Sequence, residues 1–538
     1  MKRLIFLLLM VFIISSADNH LVRVELTEER LNPLFDSNLN IIGELGHCAI
    51  VLVGDNEFVK LFPYSYQLLD ENIQEDNYYL VHPLDVKINL HDFGDILTRD
   101  NNDYLLKIND GMLETLIKEK VMLKRLSHKP FIRKNTSSFQ RSFSNSIVQE
   151  IVNEVNPDTV LSYVQRLQDF VTRYSTHDSC FAAADYIAAK FTDYRCDSIF
   201  LQYHTANHAP NVIGVKRGVT YPDSIYAVVC GHFDATSNMA PPIAPGADDN
   251  ASGTAGFLEA ARVMKDYEFE YSIRYIAFSG EEFGLFGSEY YTQLARAQGD
   301  SILGVFNADM IGYVDALPES LDVIAKISNP ACEPLADFFI VAADTYTTLL
   351  TRKQMVNSMP YSDHQAFWEQ GYVALLDAED YWLQNPYYHH PSDTIGAGYN
   401  NNDFCTEVIK AQVAALSLMA IPYDTGIEEG VAVAANNILL HVSPTISNAH
   451  FTIFFEINNP DYHATLNIYN VTGRLVRQFD YTMPNASIHT QAHGPTTLSK
   501  HITWYGTDNF NRKLPAGIYF VQLSSNKSKT TEKLILLR

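Results

Sequence analysis

The chain has 538 residues, 46% hydrophobic and 19% charged, a balance that supports large buried cores. It excludes wholesale disorder, a collagen-like repeat and a small disulfide-dense scaffold. Lys plus Arg number 39 against 63 Asp plus Glu, a net charge of -24. A chain this acidic lacks the cationic surface that nucleic acid or anionic lipid demands, so the reading is no nucleic acid among its partners. At roughly 100–200 residues per domain, two to four domains are expected.

At the start, Lys2 and Arg3 precede an apolar run from Leu4 to Ile14, and the small residues Ser15, Ser16 and Ala17 follow. This predicts a secretory signal peptide over 1–17, cut after Ala17. The run falls short of the ~20 residues a spanning helix requires. Export permits disulfides. Of Cys48, Cys180, Cys196, Cys230, Cys332 and Cys405, the candidate pair is Cys180 with Cys196, close in sequence around a predicted helix. Cys230 ends a strand-like run and is expected to be a buried thiol.

Residues 18–145 carry strand-like runs at 49–53 and 104–108 and close on a polar stretch, 133–146, rich in Ser, Asn and Arg. No chemical motif stands out, and a pro-segment or accessory domain is expected. From 146 to 424 the pattern changes. Helical periodicity over 147–174 places Val160, Val164 and Leu167 on one face. Apolar runs of strand length follow at 225–230, 273–278, 302–306 and 372–376, with a helical stretch at 253–264. Strands buried on both faces and alternating with helices predict an α/β fold, a mixed and mostly parallel sheet flanked by helices.

Ligand-type residues cluster where those strands end. Gly231-His232-Phe233-Asp234 follows the first run, and Pro245-Gly246-Ala247-Asp248-Asp249-Asn250 opens the helical stretch. Ser279-Gly280-Glu281-Glu282 follows the second run, Asn307-Ala308-Asp309-Met310 the third, and Tyr387-Tyr388-His389-His390-Pro391-Ser392-Asp393-Thr394 comes after the fourth. The carboxyl ends of strands line the ligand crevice of open α/β sheets. Several carboxylates and two imidazoles converging there suit a pair of divalent ions, most simply zinc.

The stretches GHFD, PGADDNASG, SGEEFGLFGS, NADMIGY, YSDH and YYHHPSDT, in this order, resemble the secreted dinuclear-zinc aminopeptidases. That family includes bacterial leucine aminopeptidase and aminopeptidase S, with glutamate carboxypeptidase II and glutaminyl cyclase as relatives. The resemblance covers about 150 to 424 and implies a zinc exopeptidase-like fold with two Zn2+ ions as cofactors. It implies that Asp249 bridges both ions, that His232 and Asp309 complete one, and that Glu282 and His389 complete the other. Glu281 is then the general base, and the Asp249–Asn250 peptide is expected to be cis. Asp248 is the less favoured ligand of its pair, and His390 stands where the family usually has Thr. Behind the ligands, Asp234 is expected to accept the other N–H of His232, and Asp393 to stabilise the His389 loop. Asp363 and His364 are candidates for the site wall.

For substrate, residues 309–389 hold 12 Asp or Glu and only Lys326, Arg352 and Lys353 as cations. A carboxypeptidase needs a cation for a C-terminal carboxylate, so the balance favours an aminopeptidase acting on peptide substrates. Met310, Ile311, Tyr361, Phe367 and Trp368 are candidates for an apolar side-chain pocket. Glutaminyl cyclase or carboxypeptidase chemistry on the same fold stays open, as does a noncatalytic peptide-binding protein.

From 431 to 538 the helical signal ends and short alternating strands recur at 450–455, 465–469, 501–504 and 518–523, predicting a C-terminal β-sandwich. With Leu466–Val476, Leu514–Val521 and the ending Lys533–Arg538, this part resembles the sorting domains of type IX secretion substrates. The resemblance implies engagement of secretion machinery and a secreted or cell-surface location.

Overall fold

The computed structural model describes residues 19–25, 39–61, 64–71, 73, 77–132, 145–380 and 385–423. Beyond these it describes 438–443, 446–447, 451–458, 463–470, 473–482, 497–509, 512–524 and 529–536. The expected signal peptide and most of the polar stretch at 133–146 lie outside the described residues. The chain divides into two units, 1–424 and 425–538.

The first unit opens with two antiparallel four-stranded sheets. One holds β1 (Asn19–Glu25), β2 (Asn40–Leu45), β3 (Cys48–Gly54) and β4 (Tyr66–Asp70) in the order β2-β3-β1-β4. The other holds β5 (Tyr78–Pro83), β6 (Gly94–Asp100), β7 (Asp103–Ile108) and β8 (Val121–Arg125) in the order β6-β7-β5-β8, with α1 (Leu113–Leu116) before β8. Their buried faces are not private to them. Leu21, Ile42, Leu80 and Leu105 share a core with Val160, Val228 and Phe306, and Tyr79, Val81 and Leu123 pack with Tyr174 and Phe283.

Helical periodicity at 147–174 resolves into α2 (Ser146–Asn153) and α3 (Pro157–Gln168). Pro157 has no N–H to continue a helix and sits at its start, where Asn156 accepts from the Thr159 amide at 2.9 Å. Residues 169–174 are not helical. Next comes α4 (Asp178–Asp193). Cys180 sits in the first turn of this 16-residue helix and Cys196 lies three residues past its end; the helical stretch between them rises roughly 20 Å, whereas bridged Cα atoms lie within about 7 Å. The expected disulfide is therefore absent, and all six cysteines are free thiols, Cys230 among the buried ones.

The remaining strands are β9 (Ser198–Gln202), β10 (Asn211–Lys216), β11 (Tyr221–His232), β12 (Tyr271–Phe278), β13 (Ser301–Ala308), β14 (Leu321–Lys326), β15 (Thr351–Val356) and β16 (Ala374–Ala378). They form one sheet in the order β15-β14-β16-β13-β11-β12-β10-β9. At its centre β12, β11, β13 and β16 run parallel, while β10 and β14 pair antiparallel to them. Helices α5 (Ala251–Met264), α6 (Phe286–Gln298), α7 (Cys332–Tyr346), α8 (His364–Glu369) and α9 (Asn402–Ala420) complete the unit. The four apolar runs form these four central strands because their side chains are covered on both faces, as Val228, Ile276, Val305 and Leu375 are.

Register sets up the site. His232 pairs with Phe278, Cys230 with Asn307, and Ala308 with Asp377. The residues just beyond these positions therefore emerge at one edge of the sheet. No helix among the described residues is long and apolar enough to cross a membrane.

Within the second unit, β17 (Ile438–Ser443), β19 (Phe451–Asn458) and β22 (Thr497–Trp504) form one sheet. A five-stranded sheet runs β18 (Ile446–Ser447), β24 (Lys529–Leu536), β23 (Gly517–Ser524), β20 (His463–Asn470), β21 (Leu475–Thr482). Alternate residues of both, such as Phe451, Ile453 and Phe455 against Leu466, Ile468, Val521 and Leu523, share one apolar core.

Candidate active site

His232 is the last residue of β11 and Asp309 follows β13 directly. Asp249 lies in the loop that enters α5, where Asn250 caps the helix by accepting from the Gly253 amide at 2.9 Å. A Cβ at Gly253 would come within 2.3 Å of the Ala308 carbonyl, so only glycine lets α5 start this close to the end of β13. The Asp249–Asn250 peptide is cis. Glu281 and Glu282 occupy a tight turn after β12 that Gly280 enters at φ +72°, a left-handed conformation natural to glycine. That turn brings both carboxyls into the crevice. His389 comes from the loop after β16.

These side chains converge into two sets. His232, Asp249 and Asp309 offer ligand atoms within 4.8 Å of one another, and so do Asp249, Glu282 and His389. Asp249 belongs to both. Its Oδ1 lies 3.4 Å from His232 Nε2 and its Oδ2 3.5 Å from His389 Nε2. Glu281 stands at the first set, Oε2 4.0 Å from His232 Nε2.

Each imidazole is oriented from behind. His232 Nδ1 lies 3.1 Å from the Asp234 carbonyl and His389 Nδ1 3.2 Å from the Glu119 carbonyl. A carbonyl only accepts, so both Nδ1 atoms carry the proton and both Nε2 atoms turn to the crevice. The partner of His232 is thus the main chain of Asp234, not its carboxylate, whose Oδ1 is 3.7 Å away. That carboxylate instead accepts from the Glu281 amide at 3.3 Å. Asp393 lies in the His389 loop, its amide donating to the His390 carbonyl at 2.9 Å. It accepts from the amides of Asp248 and Asp249 at 3.0 Å each, so it fixes the Asp249 backbone in addition to belonging to the His389 loop.

Other anchors were given no role by the sequence. The Thr236 amide donates to Glu282 Oε1 at 3.0 Å, and Ser362 Oγ to Asp309 Oδ2 at 2.5 Å. Arg173 is wholly buried and donates to the carbonyls of Phe233, Leu167, Pro245 and Gly246. It ties the segment just after His232 to the segment just before Asp249. Of these, only Ser362 was within sight of a motif, as the Ser of YSDH.

Asp248 lies away from the ligand sets. It accepts from the Gly312 amide and from Asn385 Nδ2, each at 2.8 Å. His390 accepts from the Ser392 amide at 3.1 Å and joins neither set. Asp363 and His364 are buried at the start of α8, where the His364 ring packs edge-on to Trp368.

Beside the two sets lies a cavity of about 50 Å³ whose lining includes Met122, Met310, Met359, Tyr361, Glu379 and Asp380. Of the sequence's pocket candidates, Met310 and Tyr361 line this cavity. Ile311, Phe367 and Trp368 do not line it; they belong to the core, with Trp368 Nε1 donating to the Ala374 carbonyl.

The electrostatics bear on whether this donor set fits metal. Burial raises the Glu281 carboxyl well above its usual range; His232 opposes this, while Glu282 and Asp309 add to it. Burial and the charge of Asp249 push Glu282 up to about 7. Burial alone would lower His232, but Asp309 and Glu281 carry it well above normal. Asp249 goes the other way: burial would raise it, yet the two imidazoles hold it below the normal carboxylate range. Three buried carboxyls and the half-buried Asp309 thus share two imidazoles, an excess of negative charge that cations relieve. His389 Nε2 is 2.8 Å from Glu282 Oε2 yet makes no hydrogen bond. Donor atoms aimed past one another, backed by carbonyls, fit divalent ions of the zinc type.

A parallel-centred α/β sheet with such a donor set at its carboxyl edge is the arrangement of a zinc-dependent peptidase. Residues 211–412 match Peptidase family M28. Aminopeptidase YwaD of Bacillus subtilis is 31% identical over 212 residues, covering 36% of this chain and 42% of that protein. A probable leucine aminopeptidase of Arthroderma otae is 27% identical over 258 residues, covering 46% of this chain and 70% of that one. Among solved structures, the LapA aminopeptidase of Legionella pneumophila shares the fold with a TM-score of 0.54 at 21% identity, over 64% of this chain and 98% of that one. The match therefore spans under half the length of the Bacillus relative. Together these findings support the M28 peptidase family and a zinc-dependent peptidase.

Proposed function

We propose that the chain is a metallo-aminopeptidase that removes N-terminal residues from peptides with the help of two zinc ions. The observation that carries this reading is the charge of the cavity lining. It holds Glu379 and Asp380 and no Lys or Arg. The cations of residues 309–389 are engaged elsewhere: Arg352 with Asp322, Lys353 with Glu333 and Asp337, and Lys326 with Glu44. Such a lining suits a substrate ammonium and gives a terminal carboxylate nothing to grip.

Asp249 would bridge the ions, His232 and Asp309 would hold one, and Glu282 and His389 the other. When bound, the pair supplies an acidified water and polarises the scissile carbonyl. Glu281 takes the proton of that water and passes it to the leaving amine, a role its position 4.0 Å from His232 Nε2, beside the first ligand set, suits. Met310 and Tyr361 receive the substrate's apolar side chain.

In the same proposal the leader at 1–17 directs export, and the second unit engages secretion machinery. Aminoacyl, N-blocked and N-terminal-Gln peptides, each with and without a chelator, test the reading. Release of free amino acids from unblocked peptides only, abolished by the chelator, supports it. Cleavage from the C-terminus or cyclisation of Gln contradicts it.

A further inference from the structure

We propose that β8 is a permanent wall of the substrate pocket and that Met122 sets the size of the side chain accepted there. The inference rests on the aminopeptidase reading and deepens it. Met122 comes from residues 18–145, the part that sequence motifs leave without a role, and it lines the cavity together with Met310, Met359 and Tyr361. A methionine is an adaptable wall, apolar and unbranched.

The segment around Met122 is built into the centre. The Glu119 carbonyl holds His389 Nδ1 at 3.2 Å, and Tyr388 donates to the Val121 carbonyl at 3.4 Å. Lys120 Nζ donates to the Pro386 carbonyl at 2.6 Å. Thr236, whose amide anchors Glu282, donates through Oγ1 to the Ile117 carbonyl at 3.4 Å.

Two residues beyond Met122, Lys124 is 1% exposed and pairs with the buried Glu289, with Glu369 at 3.4 Å. Arg125 adds a second contact to Glu289 at 2.8 Å. A detached segment would strand two buried carboxylates without their cations, a heavily destabilising change. Glu289 and Glu369, the carboxylates that Lys124 and Arg125 engage, stand outside the two ligand sets.

The test compares Met122→Ala and Met122→Phe with the parent full chain, each loaded with zinc. It measures kcat/KM on leucine and phenylalanine p-nitroanilides and calorimetric affinity for leucine and phenylalanine hydroxamates. Met122→Ala is expected to shift the phenylalanine-to-leucine ratio upward by about tenfold, and Met122→Phe to shift it downward, in the range typical of resizing an apolar pocket. Unchanged ratios in both variants overturn the proposal. So does a parent chain that takes up zinc but binds neither hydroxamate, since the segment would then be a plug. A shifted ratio of hydroxamate affinities without any p-nitroanilide turnover leaves the wall standing and removes the aminopeptidase reading instead.

Discussion

Asp249 stands between two imidazoles, one carboxylate oxygen 3.4 Å from His232 Nε2 and the other 3.5 Å from His389 Nε2. A residue shared in this way couples the two ligand sets. Asp249→Ala is expected to weaken zinc binding at both, whereas His389→Ala weakens one. Zinc titration by calorimetry, with metal analysis after dialysis, reads the difference. Equal losses in the two variants would contradict the shared role.

Glu281 lies near the first set but is not needed to complete either. Glu281→Gln should retain the parent's zinc content and lose at least ~10²-fold in kcat, the usual contribution of a positioned general base. Peptide turnover alongside metal analysis checks this, and near-parental turnover would remove Glu281 from the mechanism.

Arg173 donates to four backbone carbonyls in a wholly buried setting. Arg173→Met leaves these acceptors without their donor, at about 1–3 kcal/mol for each group that stays unsatisfied. The expectation is a loss of more than ~3 kcal/mol in stability together with weaker zinc binding, because the segments it ties lead to His232 and Asp249. Chemical denaturation with and without zinc measures both effects. An unaltered zinc affinity would reduce Arg173 to a purely architectural role.

Much of this was legible in the sequence because strand ends and metal ligands both carry local signals. The runs at 225–230, 273–278 and 302–306 became β11, β12 and β13, and their terminal motifs supplied His232, Glu281, Glu282 and Asp309. What stayed hidden acts through the main chain or across long separations. The carbonyl of Glu119 leaves no trace in residue type. Arg173 is an isolated cation until the fold brings Phe233 and Gly246 to it. Cys180 and Cys196 are near in sequence but separated by a rigid helix, so spacing alone misleads.

Glu369 offers a pH test away from the ligands. Burial pushes it up to about 7; Lys124 opposes this and Glu289 reinforces it, since one lysine serves two carboxyls. Between the ordinary glutamate value of 4.5 and about 7, the folded chain keeps a proton that the unfolded chain releases. Stability from this group is therefore present at low pH and falls as pH rises through that window. Glu369→Gln removes the dependence, so its Tm relative to the parent should rise from about pH 5 to about pH 8. Calorimetric scans across that range decide it; a pH-independent difference would contradict the assignment.

Anomalous diffraction at the zinc edge, from crystals of the full chain grown with zinc, tests the central claim most directly. The account predicts two peaks ~3.5–4 Å apart, one beside His232 and Asp309, the other beside Glu282 and His389, with Asp249 between them. A single peak, or zinc bound away from Asp249, would contradict it.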